Sequence, residues 1–509
     1  MRNSTRLILV MIFMVSMSSC EWEDNPVHRN NFVQISKSEI NSLIDKSLQQ
    51  NDQFTWSTLS DNELYSAIIA YDSVAVIGYQ PLEISEINWN SIDVSSGEWS
   101  NSVKHIIDKV EDAHSRDGIK IPDEGLLSNA HDQLPFLKIK ISSPAAVAAL
   151  RKMGEVRFVE PYTYYYSEEE EDANSRIMSK LGCGNSPDSY LEPEDFVSAS
   201  PSVKIPWNYY KSNIPQAWAK TTGKGVTIGM IDTGISPDQA LLNSQFNSGN
   251  SSGRYIQKYG TYVSSWWWWA NPDGPNDKCG HGTQMSGTIA GPRGTSGASV
   301  GVAYNANFVG VRGTGDVVIE GGNEKDGVTD ALVLLGNRTD VRIISMSIGS
   351  PLSSGQVADG IRYAYARGKL IFCAAGTSTS LTTWYGVIFP ANMNETVAVT
   401  GITDAGYKRC SNCHSGSKVD FTIVMQRDSD SDRTSLTLAQ SGSAPSRVGG
   451  SSVATATTAG IAGLIWSTDL SQSRAEVLDK LKRSAELYPN RNGSFGWGTI
   501  DANKAITLQ

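Results

Sequence analysis

Short runs dominated by aliphatic and β-branched residues recur through the second half of the chain. Val226–Ile231, Val341–Met346 and Lys369–Ala374 are the clearest, and Ala391–Thr400 ends in another. Such runs, with little regular polar alternation, are expected of strands buried on both faces in a parallel sheet. Between them lie helical candidates such as Gln356–Arg367. Strands alternating with helices predict a three-layer α/β domain with a mostly parallel central sheet, over residues 205–509.

The first half is patterned differently. In Phe136–Ile141, Leu137, Ile139 and Ile141 alternate with Lys138 and Lys140, as in a half-buried strand. Tyr71–Tyr79 and Val156–Glu160 read as further strands, Asn101–Ser115 and Pro144–Met153 as helices. Together they predict a small α+β domain over 61–166. Residues 20–60 are mostly polar and read as a tether. After Tyr164-Tyr165-Tyr166, the run Glu168–Asp172 opens an acidic, solvated linker over 167–204.

A length of 509 residues leaves room for two or three domains. The net charge of −10 argues against a nucleic-acid partner. At the front, Arg2 and Arg6 precede an apolar run, Leu7–Met17, too short to span a bilayer. It ends in Met17-Ser18-Ser19-Cys20, which resembles a bacterial lipobox with Met in place of the usual Leu. On this reading residues 1–19 are a signal peptide and Cys20 carries the lipid. Glu21, Glu23 and Asp24 follow it and resemble bacterial surface-export signals. Outer-membrane or cell-surface anchoring is therefore expected, with ordinary secretion as the alternative.

Three short motifs carry the chemistry. They are Ile231-Asp232-Thr233-Gly234, Gly280-His281-Gly282-Thr283 and Gly450-Ser451-Ser452-Val453-Ala454-Thr455. A serine hydroxyl becomes a nucleophile at neutral pH when a histidine takes its proton, and that histidine needs a carboxylate to fix its tautomer. Asp-Thr-Gly also occurs in aspartic proteases, which need two such carboxylates, and no second copy is present. His281 and His414 are the only histidines after residue 205.

The order Asp, His, Ser, with framework segments such as Gly301–Ala306, Ile344–Gly349 and Gly496–Ala502, resembles the subtilase family of serine endopeptidases. The resemblance implies a subtilisin-like fold and peptide or protein substrates. It implies Ser452 as nucleophile, with Ser451 its non-catalytic neighbour, His281 as general base and acid, and Asp232 as its orienting partner. It implies that Thr377 and the Ser452 amide receive the oxyanion, with Ser347-Ile348-Gly349 and Ala374-Ala375-Gly376 as walls of the first specificity pocket. Ile388 falls where the family often has glycine, so the pocket is expected to be shallow and to prefer small P1 residues. The stretch Leu137–Pro161 resembles the subtilase propeptide, a chaperone and inhibitor of its own enzyme; the alternative is an unrelated accessory domain. Self-cleavage is then expected between Tyr166 and Pro201, separating the lipid anchor from the enzyme. A monomer suffices for all of this.

Departures from the family pattern matter. Gln284-Met285-Ser286 and Ala456-Thr457 replace the family's usual His and Pro-His, changes that bear on packing. Thr377 stands where the family places an asparagine that donates to the oxyanion, and a threonine hydroxyl is shorter. The second reading is therefore a degenerate protease fold serving as a surface binding or scaffold protein. No cofactor is required, but structural calcium is common in the family, and Asp238 resembles one family ligand, weakly. Cys410-Ser411-Asn412-Cys413-His414 matches c-type haem attachment. However, the resemblance puts it beside the cleft, which haem would block. A disulfide from Cys279 to Cys410 or Cys413 is the favoured expectation for an exported protein, with the connectivity open and Cys373 a buried thiol. Trp266–Trp269, four tryptophans in a row, are expected to serve packing, or an aromatic wall near the groove.

Overall fold

The computed structural model describes residues 32–121, 126, 128–166, 183, 187–188, 190–265, 270–378 and 386–509. The signal segment with Cys20, most of the acidic linker and the Trp266–Trp269 run lie outside the described residues.

Seven parallel strands form the central sheet, in the order Phe421–Gln426, Thr396–Thr403, Leu370–Ala374, Val341–Met346, Thr227–Asp232, Asn307–Arg312, Ile256–Gly260. Neighbouring residues along a strand feed opposite cores. Ile343 and Phe372 pack with the helices His281–Ala290 and Gly450–Thr468 on one face. Ile344, Ile371 and Cys373 pack with Gly322–Asn337 and Gly355–Ala366 on the other. A strand covered on both sides has no polar face to keep, which is why these runs are so uniformly apolar. The result is the expected three-layer α/β domain. Among the described residues no helix is long and apolar enough to cross a membrane.

The N-terminal unit is a four-stranded antiparallel sheet, ordered Ser128–Ala130, Phe136–Lys140, Val74–Tyr79, Val156–Pro161, backed by helices. Gly97–Arg116 and Pro144–Leu150 are the helices anticipated from the pattern. The tether expected over 20–60 is corrected from Ser36 onward. Ser36 and Glu39 form a reciprocal capping box that starts a helix, Lys37–Asn51. Its buried Ile40, Ile44 and Leu48 recur every fourth residue and join Phe54, Trp56 and Leu59 in the core of this unit.

The unit docks on the helices Gly322–Asn337 and Gly355–Ala366 through an apolar cluster, in which Val76, Leu134 and Phe136 meet Val333 and Tyr363, and through polar groups. Arg157 pairs with the buried Asp359. Lys138 and Tyr162 both bond to Asp326 at 2.7 Å. Glu160 accepts the N–H of Gly355 at 2.7 Å, a carboxyl at a helix N-terminus, where the dipole favours it. Burial nonetheless pushes the Glu160 carboxyl up, to about 7.

Candidate active site

Asp232 ends its strand, at the carboxyl edge where open α/β sheets carry their sites. His281 opens the helix His281–Ala290 directly beneath it. Gly280 enters that helix at φ +98, a left-handed conformation that glycine adopts without a Cβ penalty. A Cβ on Gly282 would lie 2.3 Å from the Gly234 carbonyl, so glycine also lets the two motifs approach.

The pair is buried and bonded. His281 Nδ1 and Asp232 Oδ1 lie 2.7 Å apart, with side chains 1% and 0% exposed. Asp232 Oδ1 also accepts the Thr233 N–H at 2.8 Å. Burial alone would push the imidazole down. The Asp232 carboxylate, with Asp277 and Asp316 behind it, outweighs that, and His281 is raised above its ordinary value. Its Nε2 is buried and has no hydrogen-bond partner.

Asp277, which the sequence motifs did not single out, holds this arrangement together. Its Oδ1 accepts the Thr233 hydroxyl and the N–H groups of Cys279 and Gly280, at 2.7 to 2.9 Å. Its Oδ2 accepts the N–H and hydroxyl of Thr283 at 2.9 and 2.6 Å. Thr233 in turn accepts the Gly282 N–H. The signal was an Asp three residues before the helix-opening glycine, a capping position for the free N–H groups of the first turn. Asp316 is the other omission; it follows the strand Asn307–Arg312, and only the fold brings it near His281.

Ser452 lies in the first turn of the helix Gly450–Thr468, 8% exposed. Its hydroxyl donates to the Ser347 carbonyl at 3.3 Å, and the Ser347 hydroxyl donates back to the Ser452 carbonyl at 3.0 Å. Ser451 faces the other way. Its Oγ accepts the Gly376 N–H and meets the Thr377 hydroxyl, each at 3.2 Å. Gly450 makes the turn at φ +82, and a Cβ there would come within 2.9 Å of Thr377 Oγ1.

The expected wall residues come together. Ile388 donates its N–H to the Ala375 carbonyl at 3.0 Å. Its Cδ1 would be 3.0 Å from a Cβ on Gly349, so the branched side chain lies against that wall. Gly349 itself is paired through its N–H and carbonyl with Val317 and Ile319, each at 3.1 Å. Ala374 continues its strand into this loop and is buried. Ile348 is also buried, packing with Val317 and Ile319 in the second core.

The cysteines depart from expectation. Cys279 bonds Cys183, and Cys410 bonds Cys413. The expected bridge between these two regions does not form, because Cys413 is bridged in antiparallel fashion to Thr377 while Cys279 meets the incoming segment at Cys183. With Cys410 and Cys413 joined to each other, neither thiol is left for haem attachment. Cys373 is free and buried, its thiol pushed up by burial. Asp238 is exposed, and its backbone N–H bonds to Ser236 Oγ. No grouping of three or more His, Cys, Asp or Glu suited to a metal ion occurs among the described residues.

Comparison with known proteins agrees with this fold. The profile of the subtilase family matches residues 223–498. Alkaline elastase YaB of Bacillus sp. (strain YaB) is 26% identical over 403 residues, covering 79% of this chain and 93% of the elastase. An extracellular protease of Xanthomonas campestris pv. campestris is 30% identical over 321 residues, 58% of this chain and 53% of that one. Among solved structures, fervidolysin from Fervidobacterium pennivorans, a keratinolytic enzyme related to subtilisin, superposes with a TM-score of 0.56. It is 14% identical, over 86% of this chain and 61% of that one. More than half of the chain thus matches one family, and the chain belongs to the subtilases as a serine endopeptidase.

Proposed function

We propose that the chain is an exported, lipid-anchored proenzyme that hydrolyses peptide bonds through Asp232, His281 and Ser452. The observation that carries this reading is the buried Asp232–His281 pair, whose outer imidazole nitrogen is unpartnered and whose helix packs against the helix that presents Ser452. A buried polar atom without a partner is costly, and at a site of this kind it is kept for the reaction.

The steps follow from the positions. Ser452 Oγ leaves the Ser347 carbonyl, gives its proton to His281 Nε2 and attacks the substrate carbonyl carbon. Negative charge moves to the former carbonyl oxygen. The first-turn N–H of Ser452 has no intrahelical acceptor and lies at the positive end of the helix dipole, suited to that oxygen. The Thr377 hydroxyl is the second donor. Asp232 stabilises the imidazolium, which then protonates the leaving amine as the C–N bond breaks. Water, deprotonated by His281, attacks the acyl-serine, and the proton returns to Ser452 Oγ as the acid leaves. Ile388 against Gly349 supports a preference for small P1 residues.

The docked N-terminal unit supports the propeptide reading. The match to the elastase spans 403 of the 509 residues, so it begins no later than about residue 107, inside this unit. Processing is assigned to the segment between Tyr166 and Pro201. The Cys183–Cys279 bridge gives that position a consequence. A cut before Cys183 frees the enzyme from its anchor, whereas a cut after it leaves the two joined by a disulfide. The name of the Xanthomonas relative supports export. The relatives' names give the scaffold alternative no support.

Intact mass and N-terminal sequencing of the wild type beside Ser452→Ala, with and without reductant, test this. The expected outcome is loss of the N-terminal unit in the wild type alone. Two full-length proteins after long incubation would count against self-processing by this triad.

A further inference from the structure

The strands Val341–Met346 and Leu370–Ala374 carry the catalytic walls at their carboxyl ends. At their amino ends lies a separate crevice of about 760 Å³. Arg342, Arg367, Lys369 and Arg474 line it, with Trp466 and, from the N-terminal unit, Asn90. No aspartate or glutamate is among the lining residues. Four cations without an acid are unexpected in a chain of net charge −10.

Lys369 is the most constrained of them. It is 4% exposed, its ammonium donates only to the carbonyls of Arg338 and Val341, and no carboxylate pairs with it among the described residues. Burial, with Arg342, Arg367 and Arg338 around it, pushes it down to about 8, against the opposing pull of Asp340. Asp340 is itself taken by Arg338, at 2.7 and 3.1 Å, and by Tyr255. Arg342 lies over the Trp466 ring at 5.4 Å, and its side chain makes no hydrogen bond or ion pair among the described residues.

A purely structural role accounts for part of this. Lys369 and Arg474 donate to carbonyls at helix ends, those of Arg338 and Tyr365, and Arg367 donates to the Trp89 carbonyl in a turn of the N-terminal unit. Such capping uses few of their N–H groups, and it leaves Arg342 without a role. Nor does it explain why Lys369, buried, and three half-buried arginines converge on a crevice whose lining holds no carboxylate. The neighbouring Asp340 is already taken by Arg338, so this convergence is unfavourable unless something supplies a counter-charge.

We propose that this crevice binds a doubly charged tetrahedral oxyanion, a phosphoryl or sulfate group, with Arg342 as its chief ligand beside Lys369, Arg367 and Arg474. Planar guanidinium groups suit such an oxyanion, pairing two N–H donors with two oxygens. The group is either a free ion or the headgroup of a phospholipid, and the chemistry of the crevice is the same for both.

Calorimetric titration of purified Ser452→Ala protein with inorganic phosphate and with sulfate, at fixed ionic strength, tests the site. Saturable one-site binding is expected, about tenfold or more weaker in Arg342→Ala, the loss of one charge-assisted hydrogen bond. Arg342→Glu supplies the missing acid. It should abolish binding and raise the melting temperature of the unliganded protein, which a merely misfolded variant would not do. Co-sedimentation with phosphatidylcholine vesicles, with and without phosphatidic acid, separates the sources. Capture only by phosphatidic acid assigns a lipid headgroup, and binding of the free ion without vesicle capture assigns a soluble ligand. No saturable binding of either kind overturns the proposal. So does equal binding by chloride, or an unchanged affinity in Arg342→Ala.

Discussion

Asp232 and His281 meet at 2.7 Å between side chains that are almost fully buried, whereas Ser452 and Thr377 each bond to a neighbour outside the pair. The first half is organised by one carboxylate, Asp277, which ties the Thr233 hydroxyl of the Asp232 loop, 44 residues earlier, to N–H groups at the start of the His281 helix, 3 and 6 residues later. The second half is assembled from segments far apart in the chain: Ser347, Gly376, Ile388, Cys413 and Ser451 all come from different stretches. A locally closed network can be finished before substrate arrives. A network drawn from five segments keeps alternative hydrogen bonds, and here Ser452, the proposed nucleophile, occupies one of them. Substrate binding must therefore do work on the serine side that it need not do on the histidine side.

The largest break in this comparison comes from the finished half. Asp232→Asn keeps shape and burial but presents the wrong hydrogen-bonding group to His281 Nδ1. Turnover on a peptide substrate should fall by about 10⁴ with KM little changed. A fall below about tenfold would mean that the preorganised pair is not the one in use. Next comes Thr377→Asn on the unfinished half, which lengthens the donor. Turnover should rise, by up to about 10²-fold, the scale of one oxyanion donor in related chemistry. If turnover stays put, the Ser452 amide already suffices and Thr377 is a packing residue held by Ser451. Smaller again is Ile388→Gly, which opens the wall against Gly349. Cleavage after Phe relative to Ala should improve by about tenfold or more, read from paired peptides.

How much of this could be read from the sequence follows the same division. Asp232, His281 and Ser452 stood out because each sits in a short motif at the end of an apolar run or the start of a small-residue helix. The parallel sheet was legible because burial on both faces leaves an aliphatic signature. The helix Lys37–Asn51 was not, because Ile40, Ile44 and Leu48 form a single apolar column in an otherwise polar stretch. Cys183 could not be matched to Cys279 because the two lie 96 residues apart and neither sits in a spacing motif that names its partner. Asp277 carried a capping signal that could have been used. Asp316 carried none, since only the fold puts it within electrostatic reach of His281.

Asp316 also supplies the smallest and most discriminating test. The free imidazole must be neutral to accept the serine proton, so kcat/KM should rise with pH through a midpoint above the ordinary histidine value, following the raised His281. The Asp232 contribution to that shift cannot be removed without losing catalysis. Asp316 lies outside the proton path, yet its carboxylate favours imidazolium and the imidazolium in turn lowers Asp316, against burial, which raises it. Asp316→Asn removes one negative charge facing His281, so the imidazolium is less stable and the midpoint moves down, by roughly a few tenths of a pH unit to one unit. The alkaline plateau should stay where it was. The variant should therefore be faster than the wild type on the acid side and equal to it on the alkaline side. A general loss of activity at every pH would instead make Asp316 part of the framework that positions His281, and would extend the locally finished half of the site by one more residue.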